Sequence, residues 1–344
     1  MNDRIGVGLI GLGMAVKPHA LALKDLSKQV DFLGGFSRSS EGRNAFEQDY
    51  GLPTVGSVDE LLDNSRLDAV IITTPPSSHA ELTIRAARAG KHVLLEKPLD
   101  VTFGQARDIV EAVEAANRKL GVVFQYRFRE STITLRELMR AGELGELLSV
   151  SCNVRWWRPP EYYAKPPGRG MRARDGGGVL ITQSIHTLDV LLDLVGPVRT
   201  VNAQCRTSPL RDIDTEDIAS ASVEYVNGAI GVVDATTVAY PGFPDRIDIA
   251  GTKGSAVMEA EKLAVYRVGE QPFHLQGSAI GGGGADPMAF SHEPHRRLIE
   301  DFLDAVRSGE QPSASGRSAL PVHALIDGML ESSQKGATVT VQSA

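Results

Sequence analysis

Between residues 4 and 126, uninterrupted apolar runs alternate with stretches of helical period. This alternation restricts the fold more than any other feature of the chain. Residues 5–10, 30–36, 68–74, 91–95 and 122–126 read as strands. Helical stretches lie between them: one running to about residue 26, then 43–50, 58–63, 77–89 and 102–119. A strand that is apolar at every position is buried on both faces. The pattern therefore predicts a parallel sheet with helices on both sides.

The texture changes after Tyr126. A helix is expected over 132–139, followed by a run of period two. Leu148, Val150, Cys152, Val154 and Trp156 point one way and the polar positions the other. That is a strand with one buried face. Strand-like segments recur at 198–207, 218–226, 229–237, 246–250 and 256–259. Asn227-Gly228 and Gly251-Thr252-Lys253-Gly254 mark tight turns between them. The glycine run 281–284 reads as a loop. Helices are expected over 294–307 and 321–333, and a short strand over 338–341.

With 344 residues the chain exceeds what one core usually holds, so two domains are expected, 1–126 and 127–344. The fold class is an α/β Rossmann domain followed by an α+β domain with a large, mostly antiparallel open sheet. A formal net charge of −7 argues against a nucleic-acid partner. No apolar run approaches the roughly 20 residues that span a bilayer, and no secretory leader is visible. Cys152 and Cys205 are too few for a disulfide framework or a cysteine zinc site. A cytoplasmic protein without a membrane or metal requirement is expected.

A literal G-x-G-x-x-G at Gly6, Gly8 and Gly11 lies inside the first strand and is set aside, because the motif works only at a strand-to-helix turn. There the sequence is Gly11-Leu12-Gly13-Met14-Ala15-Val16. Gly11 would make the turn and Gly13 would admit a pyrophosphate. The next helix would offer its free N–H groups to the anion. The third glycine of the pattern is Val16. At the end of the second strand, where a ribose-binding carboxylate is usual, stand Ser37 and Arg38, with Arg43 nearby. Guanidinium groups suit a 2′-phosphate, so NADP is expected ahead of NAD.

Glu96-Lys97-Pro98 closes the fourth strand, at the sheet end where ligands bind in such folds. A lysine there moves a proton near neutrality only if its ordinary pKa of about 10.4 is lowered. From spacing alone, a lysine paired with Glu96 is the commoner reading. The second candidate is the glycine-led stretch Gly176–Asp189, in which Thr182, His186 and Asp189 would share one helix face and Gln183 would lie beside His186. Thr74, Pro75 and His79 follow the third strand. His292 and His295, at i and i+3, read as a surface pair for want of a further ligand.

Taken together, these residues resemble the glucose–fructose oxidoreductase, inositol dehydrogenase and MocA family. The resemblance rests on Gly11-Leu12-Gly13 with His19, on Thr74-Pro75-Pro76 with His79, on Glu96-Lys97-Pro98, on Gly176–Asp189 and on Gly251-Thr252-Lys253-Gly254-Ser255. It implies oxidation of a secondary hydroxyl, or reduction of the ketone, on a sugar, polyol or nucleotide sugar, in a homodimer or homotetramer. It implies Lys97 and His186 as catalytic residues. Gly11, Gly13, Met14, Ala15, Ser37, Arg38, Arg43, Thr74, Pro75, His79, Glu96, Lys97 and Gln125 would surround the cofactor. Arg127, Trp157, Tyr163, Arg169, Thr182, Gln183 and His186 would meet the substrate. Many members carry an aspartate four residues before that histidine. Here it is Thr182, so the implied set is Lys97 with His186 rather than a triad. The Gln-x-x-His form resembles the branch of nucleotide-sugar dehydrogenases. The same fold also supports cofactor-binding sensors and reductases of other carbonyl compounds.

Overall fold

The computed structural model describes residues 4–164, 167–277 and 291–343. The glycine run 281–284 lies outside them. The chain divides into two compact units, Met1–Gln125 with Ser291–Ala319, and Tyr126–Phe290 with Leu320–Ala344.

The first unit is built on five parallel strands: β1 (Ile5–Ile10), β2 (Val30–Phe36), β3 (Ala69–Ile72), β4 (His92–Leu95) and β5 (Leu120–Val122), in the order β2-β1-β3-β4-β5. β1 and β3 are buried at every position, as a sheet covered on both faces requires. The covering helices are α1 (Val16–Asp25), α2 (Ser40–Tyr50), α3 (Val58–Leu62), α4 (His79–Arg88) and α5 (Phe103–Ala115). β5 is earlier and shorter than expected. The Phe124 N–H turns back to the Val122 carbonyl at 2.7 Å, and Gln125–Phe128 form a 3₁₀ turn rather than a strand end.

The second unit begins with α6 (Glu130–Arg140) and β6 (Leu147–Arg155), then the short helices α7 (Pro160–Ala164) and α8 (Arg172–Asp175). A π-helical turn, Leu180–Ser184, runs into α9 (Ile185–Val195). β7 (Val198–Arg206), β8 (Ile218–Tyr225), β9 (Ile230–Thr236), β10 (Arg246–Gly251), β11 (Gly254–Glu259), β12 (Lys262–Arg267) and β13 (Phe273–Leu275) follow. Near the C-terminus come α10 (Glu293–Ser308), α11 (Gly316–Lys335) and β14 (Val339–Thr340). Nine strands form one sheet, β13-β12-β11-β10-β6-β9-β8-β7-β14, antiparallel except at β6–β9. One face is buried through Val150, Cys152, Val154, Ala221, Val223, Val233, Ile247 and Ile249; the other leaves Leu148, Ile230 and Val232 exposed. Leu148 thus departs from the alternation expected of it.

Two expectations are corrected. The break at 126–127 does not assign all later residues to one domain, because Ser291–Ala319 returns to the first unit. Leu298, Ile299, Phe302 and Leu303 of α10 are buried there, each contributing roughly 1.5–3 kcal/mol. The Val122 N–H also bonds the Ala314 carbonyl at 2.8 Å. Second, Arg172–Val195 is long and apolar enough to cross a membrane by composition alone, although its apolar part is mostly buried.

Candidate active site

The turn after β1 folds as its glycines dictate. Gly11 has φ +104°, and a Cβ on it would lie 2.9 Å from the backbone of Thr73 and Thr74. A Cβ on Gly13 would meet nothing within 4 Å. Gly13, Met14 and Ala15 are exposed. No side chain caps the N-terminus of α1, and its first turn carries no acidic residue. Open space over a glycine in front of an uncapped helix start fits the pyrophosphate of a dinucleotide, so the residues present suit the expected cofactor. At the end of β2, the Arg43 Nη1 donates to the Ser37 carbonyl at 2.6 Å, while Arg38 is exposed.

Thr74 and Pro75 follow β3, and the Ser78 hydroxyl donates to Thr74 Oγ1 at 2.8 Å. His79 is fully buried. Its ring nitrogens lie 2.8 Å from the carbonyl oxygens of Pro98 and Thr74. His79 therefore clamps the loops after β3 and β4 to each other, which corrects the expectation that it lines the cofactor. Glu96 is likewise used internally. Its Oε1 accepts from His19 Nε2 at 2.8 Å and its Oε2 from the Lys97 N–H at 3.1 Å. Burial opposes the Glu96 charge, but the His19 hydrogen bond, with His295 and Lys97, outweighs it and holds the carboxyl below its ordinary range. Lys97 is half-buried and joined to Pro98 by a cis peptide bond. Burial pushes its ammonium pKa down, against the opposing pull of Glu96.

His295 is buried, not a surface partner of His292, which instead pairs with Asp25 at 2.7 Å. The His295 ring meets His19 edge-on at 5.2 Å. Donor atoms of His19, Glu96 and His295 lie within 4.8 Å of one another, so a third potential ligand set exists where the sequence offered none.

In the second unit the π-helical turn shifts the register ahead of α9, and the single polar face expected of Thr182, His186 and Asp189 is not formed. The Thr182 hydroxyl donates to the Gly178 carbonyl at 2.6 Å. Gln183 is buried, and its Oε1 has no hydrogen-bond partner. The His186 ring stacks on Tyr126 at 4.9 Å, and Arg129 covers Tyr126 at 3.2 Å. Asp189 accepts two hydrogen bonds from Arg127, at 2.7 and 2.6 Å. Arg127 is buried and also lies 3.5 Å from Asp193. Burial works against its charge, and Asp189 more than offsets this. Arg127 thus fixes α9 and does not reach for substrate as expected.

Trp157, Tyr163 and Arg169 do come together. Arg211 lies over Trp157 and Tyr163, Arg169 lies over Tyr162, and the Tyr163 hydroxyl pairs with Thr237 Oγ1 at 3.0 Å. Arg211 is held by Asp217 at 2.7 Å. Sequence reasoning missed Glu216. Its buried carboxyl accepts the N–H groups of Gly178 and Leu180, both at 3.2 Å, capping the helix that carries His186. A Cβ at Gly178 would lie 1.9 Å from the Glu216 carbonyl oxygen, so only glycine permits this approach. Tyr126, Arg129 and Asp245 were also missed, since no local pattern links residues more than 100 positions apart.

A parallel sheet with a glycine turn, an uncapped helix start and a half-buried lysine at a strand end defines a dinucleotide-dependent oxidoreductase. Comparison with known proteins narrows this. Residues 5–124 match the family described as an oxidoreductase family with an NAD-binding Rossmann fold, and residues 132–257 match the GFO/IDH/MocA C-terminal domain. Inositol 2-dehydrogenase of Rhizobium meliloti is 27% identical over 338 residues, covering 94% of this chain and 96% of that protein. Levoglucosan dehydrogenase in complex with NADH and levoglucosan has a TM-score of 0.89 at 26% identity, over 99% of this chain and 100% of that one. The WlbA dehydrogenase of Bordetella pertussis, with NADH and UDP-GlcNAcA, has a TM-score of 0.83 at 27% identity, over 99% and 100%. The chain belongs to the glucose–fructose oxidoreductase, inositol dehydrogenase and MocA family. It is an NAD(P)-dependent dehydrogenase or reductase acting on CH–OH groups.

Proposed function

We propose that the protein interconverts a secondary hydroxyl and a ketone on a sugar, polyol or nucleotide sugar. The observation that carries this reading is Lys97: half-buried, lowered in pKa, and set at the ligand end of β4. A nicotinamide cofactor supplies the hydride acceptor or donor. In the oxidation the Lys97 Nζ takes the hydroxyl proton, and in the reduction it returns it. His186, stacked on Tyr126, orients the hydroxyl. Gly11, Gly13, Met14 and Ala15 hold the pyrophosphate; Thr74, Pro75 and Gln125 border the cofactor.

Arg38 is assigned to a 2′-phosphate, which favours NADP over NAD. In the second unit, Trp157, Tyr163, Arg169, Thr182 and Gln183 are assigned to the substrate. Aromatic faces beside guanidinium groups suit a carbohydrate ring with hydroxyl or phosphate groups. The exposed sheet face at Leu148, Ile230 and Val232 supports a homodimer or homotetramer. Free Cys152 and Cys205 suit a reducing, cytoplasmic setting.

The test is a panel of sugars, polyols and nucleotide sugars followed by absorbance of the reduced cofactor, wild type against Lys97→Met. Turnover is expected to fall by about 10²–10⁴-fold in the variant. Equal turnover in both proteins would remove Lys97 from the reaction.

A further inference from the structure

We propose that the buried cluster of His19, Glu96 and His295 is a metal-free positioning device that holds the backbone of Lys97 in its working orientation. The inference rests on the reading of Lys97 given above. The three side chains come from three elements of the first unit: α1, the end of β4 and α10. Glu96 divides its carboxylate between two tasks. Oε1 is anchored by His19 at 2.8 Å, and Oε2 receives the peptide N–H of Lys97 at 3.1 Å. A shift of His19 is therefore passed through one rigid carboxylate to the main chain that carries the lysine. His295 sets the His19 ring from the side, edge-on at 5.2 Å.

The cluster is dry. His19 is 0% exposed and His295 3%, so water is poorly placed to replace a lost contact. Burial pushes His295 down to about 3, leaving it neutral beside the other ring. The donor set has the composition of a two-histidine, one-carboxylate metal site. However, the His19 and Glu96 atoms already meet at hydrogen-bond distance, and the second carboxylate oxygen is committed to a peptide N–H. A metal ion would have to break the contact that fixes Lys97. The device also has a direction. His19 lies one turn inside α1, whose free N-terminus is the assigned pyrophosphate seat, so the phosphate seat and the proton-transferring residue are locked together by side chains of a single unit.

The experiment compares His19→Leu, His19→Gln and Lys97→Met with wild type, measuring kcat at saturating substrate and cofactor Kd. His19→Leu is expected to lose about 10²-fold in kcat with Kd changed less than about threefold, as misplacement of a reacting group does. His19→Gln, whose amide can still donate to Glu96, is expected to recover most of the loss. A His19→Leu kcat within twofold of wild type overturns the inference, as does a loss matched in Kd and not relieved by glutamine. If His19→Leu does not fold, Glu96→Gln serves instead: it keeps the size but turns one acceptor into a donor. At least a tenfold kcat loss supports the device, and an unchanged kcat overturns it. Lys97→Met separates the two readings. If that variant is inactive while His19→Leu turns over normally, the positioning role fails alone; if it is fully active, the reading of Lys97 fails and the inference with it. Elemental analysis of the purified enzyme is expected to find no stoichiometric metal. One whose removal lowers activity would overturn the metal-free assignment.

Discussion

The two units secure their candidate functional residues by different means. In the first, the main chain does most of the work. A glycine turn opens onto free helix N–H groups, and Lys97 is held through its own peptide N–H. In the second, side chains hold side chains. Arg127 grips Asp189, Arg211 grips Asp217, and arginines lie over the rings of Trp157, Tyr162 and Tyr163. Backbone-built sites depend on a few residues in fixed local spacing. Lattices of charged and aromatic groups depend on pairs far apart in sequence, and each member is costly to remove singly.

The sharpest way to break this contrast is Arg127→Leu. It leaves the buried Asp189 carboxylate uncompensated, which should cost about 3–5 kcal/mol. The loss should fall on the second unit. Thermal unfolding is expected to become biphasic, with cofactor binding retained through the first transition; one cooperative transition at the wild-type temperature would contradict it. Glu216→Leu comes next. It uncaps the helix carrying His186 and should cost about 1–3 kcal/mol, with substrate KM raised more than cofactor Kd. Equal effects on the two constants would deny that the cap serves the second unit.

The third prediction concerns pH. The folded-state pKa of His295, about 3, lies below the ordinary 6.5. Between these values the unfolded chain binds the extra proton, so stability is full above about 6.5 and declines as pH falls towards 3. The slope should approach 1.4 kcal/mol per pH unit. His295→Phe should flatten this limb in denaturant titrations, and an unaltered slope would refute the assignment. The smallest effect is expected from Arg38→Ser. It should lower kcat/KM for NADP by about tenfold, the scale of one exposed phosphate contact, and leave that for NAD unchanged. A wild-type NADP/NAD ratio in that variant would remove Arg38 from the 2′-phosphate.

The same contrast explains what the sequence could reveal. The continuous apolar runs, the period-two strands and the glycine turn are local signals, and the two-sheet architecture follows from them. Lys97 was legible because it closes an apolar strand. The return of α10 to the first unit was not, since its contacts, such as Gln29 with Glu300, pair residues 271 positions apart. The π-helical turn was hidden because Leu180–Ser184 has the composition of an ordinary helix. Ser184 donates to the Val179 carbonyl five residues back, a spacing that no hydrophobic pattern announces. Arg127 was misjudged because a buried arginine and a substrate-facing one look alike until the carboxylate partner is seen.

The return of Ser291–Ala319 to the first unit has a consequence for the order of synthesis. When Gln125 leaves the ribosome, the parallel sheet still lacks α10 and the Ala314 carbonyl that pairs with Val122. Those parts follow roughly 10–40 s later, at translation rates of ~5–20 residues per second. Through that interval, the surface that Leu298, Ile299, Phe302 and Leu303 will cover stays open on the nascent chain. The unit that is translated first is therefore completed only after most of the second has been made.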